Sequence, residues 1–224
     1  MSRQVIVALD AVSLDYGTGS RAVHAVADVT ATVAAGASVA ITGPSGSGKS
    51  SLLHLMAGLE LPTDGRVTWP AFGTSPHADP ARAGLVFQAP SLIPSLDVVE
   101  NIALPLVVAG MSDAEARDRA RAALDLLGLG WLGSQAPETL SGGQAQRAAL
   151  ARILALRPPL MLADEPTGQL DTETGAAVLD LMFRVAGEVG AALVVSTHDR
   201  TVASRFDTEW PMVGGRLSMR TVAA

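Results

Sequence analysis

GPSGSGKS, residues 43–50, carries the only lysine in a chain of 224 residues; every other strongly basic side chain is arginine. The stretch fits G-x-x-x-x-G-K-[ST], and its neighbours supply the context that pattern needs. VAITG (39–43) reads as a strand and Lys49–Ala57 as a helix. The glycines allow a tight loop with inward-facing backbone N–H groups, and the helix start adds positive partial charge. The pocket suits a polyanion. A compact ammonium fits between β- and γ-phosphate oxygens, where a planar guanidinium is too bulky. The Ser50 hydroxyl is placed for Mg²⁺, the usual companion of a nucleoside triphosphate. The candidate nucleotide-binding residues here are Gly43, Pro44, Ser45, Gly46, Ser47, Gly48, Lys49, Ser50 and Ser51.

Outward from this loop, short apolar runs alternate with helical patterns, which predicts an α/β fold with a mostly parallel sheet. VIVAL (5–9), GLVFQ (84–88), LMLAD (160–164) and ALVVST (192–197) read as strands. The last three have the near-continuous apolar character of strands covered on both faces. Ser112–Glu115 reads as a capping box opening a helix to about Leu127, and further helices span Ser141–Leu156 and Thr172–Ala186. Gly65–Pro80 reads as loop or short hairpin. The stretches 58–70 and 128–137 mark the expected subdomain borders.

Composition narrows the function. Hydrophobic residues make up 48% but aromatics only 4%, so the core is built from Ala, Val and Leu. The formal charge is −6 and no basic tract exists, which argues against a nucleic-acid surface. The absence of cysteine excludes disulfides, thiol catalysis and thiolate metal sites. No secretory leader and no apolar run of about 20 residues is present, so a cytoplasmic location is expected, with any spanning helices supplied by a partner.

LMLADE (160–165) is an apolar run ending in two carboxylates. In a parallel sheet such a strand ends beside the phosphate-binding loop. Asp164 is then placed to hold Mg²⁺, and Glu165 to orient and deprotonate an attacking water. LSGGQ (140–144) opens a helix with Ser141 as N-cap. Two glycines there expose backbone N–H groups, which suits either ordinary capping or an anion.

With these motifs in this order the chain resembles the nucleotide-binding subunits of ABC (ATP-binding cassette) transporters over nearly its whole length, and LSGGQ is the most specific mark. The resemblance implies one cassette spanning 1–224. Its core is of the P-loop NTPase type, with a small antiparallel β lobe and a helical subdomain of about 89–157. It also implies ATP with Mg²⁺, and two cassettes paired head to tail. Ser141, Gly142, Gly143 and Gln144 would then meet the γ-phosphate held by the other cassette. Gln88 matches the glutamine that touches Mg²⁺ and the lytic water, and His198 matches the switch histidine. Asp171 matches the loop that crosses the dimer, and Tyr16 the aromatic that stacks on adenine. The runs 163–171 and 92–106 are similar to the lipoprotein-release, macrolide-export and cell-division group. Gly65–Gln88 is shorter than that group's counterpart and lacks its charged helical segment.

The expected function is ATP hydrolysis powering an integral-membrane permease from the inner face of the cell membrane. A soluble cassette acting on nucleic acid or ribosomes is the alternative. A single cassette, the absence of a heptad run and the negative charge speak against it. The segment Gln88–Leu106 is expected to dock the permease through exposed members of the set Leu92, Ile93, Leu96, Val98 and Ile102.

Overall fold

The protein is described by a computed structural model covering residues 3–17, 22–218 and 220–221. Its centre is a sheet in the order β10-β8-β3-β7-β6-β5, comprising Arg220–Thr221, Thr208–Val213, Ser38–Thr42, Ala192–Thr197, Leu160–Asp164 and Ala83–Val86. β3, β5, β6, β7 and β8 pair in parallel; β10 and the short β9 (Arg216–Leu217) join β8 antiparallel.

Side chains alternate across this sheet, as strand geometry requires. Leu160 and Leu162 of β6, and Ala192 and Val194 of β7, enter one apolar core. Met161 and Ala163, and Leu193 and Val195, enter another on the opposite face. Burial on both faces is why these strands read as unbroken apolar runs.

The first core is closed by α1 (Lys49–Ala57) and an antiparallel sheet, β2-β1-β4, made of Val23–Ala34, Val5–Tyr16 and Asp64–Thr68. The expected strand 5–9 is thus part of a longer one, and it belongs to this sheet rather than the parallel one. The second core is closed by α2 (Val98–Val108), α3 (Asp113–Leu126), α4 (Gly142–Leu156) and α5 (Thr172–Val189). α6 (Arg200–Ala203) follows β7.

Several boundaries differ from expectation for local reasons. β3 stops at Thr42, because Gly43 turns into the loop with φ 151°. β5 ends at Val86, leaving Phe87 and Gln88 outside the strand. Ser112 does cap α3, accepting from the Glu115 N–H. However, the Glu115 carboxylate receives the Ser112 hydroxyl (2.7 Å) rather than a backbone N–H. The reciprocal boxes form instead at Asp97/Glu100 on α2 and Ser141/Gln144 on α4. The region 65–80 holds β4, then a single 3₁₀ turn over Pro76–Ala78.

α2 contains Pro105, whose ring nitrogen has no hydrogen to give the carbonyl of Asn101 one turn back. Arg152 Nε of α4 donates to that carbonyl instead, at 3.1 Å. The buried Asn101 amide ties down the preceding loop, donating to the carbonyls of Ile93, Leu96 and Asp97 at 3.0 Å each.

Candidate functional site: a phosphate-binding loop beside an acidic strand end

The loop between β3 and α1 packs against neighbouring backbone. A Cβ on Gly43 would overlap the Met212 carbonyl oxygen, and one on Gly48 (φ 104°) the Ala25 carbonyl oxygen. Both positions therefore require glycine. Gly48 stands at the N-cap of α1 and has no side chain to cap it, so the first-turn N–H groups lack the usual acceptor. Lys49 is only 6% exposed, and its Nζ donates to the carbonyls of Gly43 (3.0 Å) and Pro44 (3.1 Å). The nearest acid is Glu165, with Oε1 at 4.0 Å. The Ser47 hydroxyl is buried without a partner. Uncapped N–H groups, a buried ammonium whose hydrogen bonds go to neutral carbonyls and an orphaned hydroxyl make a cradle that fits phosphate oxygens.

The sheet brings two distant segments to this loop, the ends of β6 and β7, because β3, β6 and β7 run parallel and end on the same side. Asp164 closes β6, is 5% exposed, and accepts a short hydrogen bond from Ser196 Oγ of β7. The Glu165 N–H lies 3.1 Å from both the carbonyl and the hydroxyl of Ser196. Glu165 sits at φ 47°, a left-handed conformation that costs a non-glycine residue about 1–3 kcal/mol and clusters at functional sites. Its carboxylate reaches in two directions: Oε1 toward Lys49, and Oε2 to His198 Nδ1 at 3.2 Å. His198 follows β7 directly and is exposed. A carboxylate between an ammonium and an imidazole, next to an anion cradle, has the arrangement for activating a water against a phosphorus centre.

Tyr16 ends β1, exposed, with its hydroxyl near Ser51 Oγ (3.4 Å) and donating to Glu60 Oε1 (3.3 Å). This hydroxyl pairing places the ring beside the start of α1. Gln88 is exposed just past β5.

The residues Ser141–Gln144 lie elsewhere. Ser141 Oγ accepts from Gln144 N (3.3 Å), and Gln144 Oε1 accepts from Ser141 N (2.8 Å). Among the described residues no hydrogen bond or ion pair connects them to the phosphate-binding loop. They pack instead on their own chain's segment after Glu165: a Cβ on Gly142 would stand 2.9 Å from Gln169 Oε1, and one on Gly143 3.3 Å from the Gln169 carbonyl. Asp171 caps α5 by accepting from Thr174 N at 2.9 Å. The hydrogen bonds from Thr174 hold its carboxyl below the usual aspartate range.

Sequence reasoning missed Ser196, the partner of both Asp164 and the Glu165 N–H; its signal was a serine inside an otherwise apolar buried strand. It also missed Glu60, whose only cue is its fold-level proximity to Tyr16. The fold divides the expected docking set, of which part was expected to be exposed. Val98 and Ile102 are fully buried in the second core, and Leu92 and Leu96 are partly covered. Ile93 is 38% exposed, and Leu104, Val107 and Val108, outside that set, are exposed with it. Ile93, Leu104, Pro105 and Val108 line an open groove of about 400 Å³, whose other walls include His77, Pro80 and Arg152. No helix among the described residues is long and apolar enough to cross a membrane.

These features define a nucleotide-binding cassette, and residues 26–168 match the family described as ABC transporter. The chain belongs to that family and is an ATP-binding, ATP-hydrolysing subunit of the ABC type. It is 40% identical to the lipoprotein-releasing system ATP-binding protein LolD of Bordetella avium, over 96% of this chain and 97% of that one. It is also 40% identical to an uncharacterised ABC transporter ATP-binding protein of Mycobacterium tuberculosis, over 97% of this chain and 90% of the other. Among solved structures it is similar to the cassette MJ0796, in a dimeric post-hydrolysis state bound to ADP and phosphate. That likeness has a TM-score of 0.89 at 35% identity, covering 98% of this chain and all of that one.

Proposed function

We propose that this chain forms one cassette, with residues of about 89–157 as its helical subdomain, and works as a pair with a second copy. Each ATP would lie between the phosphate-binding loop of one copy and the Ser141–Gly143 segment of the other. Lys49 and the loop N–H groups would hold the phosphates, and Ser50, Asp164 and Gln88 would hold Mg²⁺. Bound Mg²⁺ would supply charge neutralisation at the phosphates. Glu165 is the base, oriented by His198 and by the Ser196 contacts to its backbone. Tyr16 would receive the adenine.

The observation that carries this reading is the split in the site. Lys49, Glu165 and His198 converge, whereas among the described residues no hydrogen bond or ion pair joins the Ser141 helix start to them. A site divided in this way is completed by two-fold pairing. The resemblance to LolD, and the groove beside Ile93, support a membrane permease as the second partner. Export of a lipid-linked substrate, or transmission of force to an extracytoplasmic machine, fits that group.

Glu165→Gln tests the assignment. Hydrolysis should fall by roughly 10²–10⁴-fold, the range for a lost general base, with ATP binding retained. Light scattering of that variant should report a dimer with ATP and a monomer without it, and adding Ser141→Arg should abolish the dimer. Normal turnover in Glu165→Gln, or a monomer at high protein concentration with ATP, would remove the composite site.

A further inference from the structure

The groove beside Ile93 contains a cation with no counter-ion among the described residues. Arg152 of α4 reaches its wall, and burial lowers the pKa of its guanidinium, the mark of a cation taken partly out of water. Its hydrogen-bond partners are all neutral. Nε meets the Asn101 carbonyl (3.1 Å), Nη1 the Ser91 carbonyl (2.8 Å) and hydroxyl (3.2 Å), and Nη2 the Asn101 side-chain oxygen (2.7 Å). A guanidinium has five N–H donors, so four acceptors leave one unused. Among the described residues no aspartate or glutamate lines the groove. The nearby acids are engaged elsewhere: Glu100 with Arg117, Asp79 with Arg82, and Asp97 in the α2 cap.

This arrangement is unusual on a chain of net charge −6, where acids outnumber bases. Apart from Ser91 and Asn101, which Arg152 itself engages, the groove lining suits an apolar segment: Ile93, Leu104, Pro105 and Val108, with Pro80 and the His77 ring. His77 and Pro80 come from the loop region between β4 and β5.

We infer that the groove receives a short apolar segment of the membrane partner that carries a carboxylate, and that this carboxylate pairs with Arg152. The inference rests on the docking reading above and specifies its chemistry. A partly desolvated cation gains most from a charged acceptor, because a low-dielectric wall strengthens the pair and a planar fork matches a carboxylate. A phosphate headgroup offers similar charge, but a groove walled by proline, valine and leucine side chains fits a peptide better than a lipid surface.

The chain lacks cysteine, so Val108→Cys introduces a unique thiol at the groove. The complex with the co-purified membrane protein is cross-linked through it, and the attached segment is identified by mass spectrometry. A carboxylate within one helical turn of the cross-link is expected. Arg152→Gln, which keeps an amide donor for the Asn101 and Ser91 carbonyls, should leave basal hydrolysis within about twofold. Stimulation by the partner should fall at least about tenfold, as for a buried interfacial charge that loses its mate. Arg152→Glu combined with acid→Arg in the cross-linked segment should restore stimulation. A cross-linked segment without a carboxylate, or full stimulation of Arg152→Gln, overturns the pairing. If Arg152→Gln does not fold, the acid→amide change in the partner decides instead, and unchanged stimulation there overturns it. A thiol at position 108 that never links to the membrane protein refutes the docking reading itself.

Discussion

Gly46 and Gly48 lie two residues apart in the same loop, both at positive φ (76° and 104°), yet they face different surroundings. Replacing each by alanine separates backbone strain from steric exclusion. At Gly46 an added Cβ meets nothing within 4 Å. The cost is then the left-handed conformation alone, about 1–2 kcal/mol. At Gly48 the Cβ would also overlap the Ala25 carbonyl oxygen, which is β2 backbone, and stand 2.8 Å from Met212 Cε. The methionine end can move, but the carbonyl cannot without shifting β2. Overpacking of this kind adds about 1–3 kcal/mol, for a total of about 2–5 kcal/mol. In a protein of this size each kcal/mol lowers Tm by about 2–4 °C. Differential scanning calorimetry without nucleotide should therefore show a drop of about 2–8 °C for Gly46→Ala and about 4–20 °C for Gly48→Ala. Equal shifts would refute the argument that contact with β2, rather than φ alone, demands glycine at 48. So would a Gly48→Ala protein within about 2 °C of wild type, the smallest shift a 1 kcal/mol penalty gives.

Two further outcomes follow from the site. Ser196→Ala strips Asp164 of its buried donor and loosens the Glu165 N–H, so steady-state hydrolysis should fall about tenfold while nucleotide titration shows binding retained; each tenfold corresponds to about 1.4 kcal/mol in the barrier. Asp171 has a depressed carboxyl pKa in the folded state, so its contribution is present above the ordinary aspartate value and is lost as pH falls through the folded one. Melting curves from pH 7 to pH 3 should show wild type more stable than Asp171→Asn at neutral pH, with the gap closing below about pH 4; a gap independent of pH would count against the charge of Asp171 as its source.

The features legible in the sequence are those whose physics is local. The phosphate-binding loop is eight consecutive residues whose glycines, lysine and helix start act on one another directly, so it can be read without the rest of the fold. The N-caps Ser112 and Ser141 work over three residues. β6 and β7 are visible because burial on both faces leaves an uninterrupted apolar string. β2 carries the matching half-buried signal, with Val29, Ala31 and Val33 buried and the residues between them exposed, and was within reach of the same reasoning. α2 was not: it is apolar nearly all round, contains Pro105, and follows a proline-bearing loop, so no 3.6-residue period stands out. Its one local cue is the Asp97/Glu100 capping box.

Only tertiary structure decides the rest. Lys49, Glu165, Ser196 and His198 meet because parallel strands end on one side of a sheet, a juxtaposition with no trace in spacing along the chain. Pairing moved β1 to the antiparallel sheet, since nothing within VIVAL specifies which strand lies beside it. Arg152 reads in sequence as one more arginine on a helix; only the fold shows that its Nε meets the Asn101 carbonyl, which Pro105 has no N–H to satisfy. Composition and short-range geometry act between neighbours in the chain, whereas electrostatics and steric exclusion act between neighbours in space.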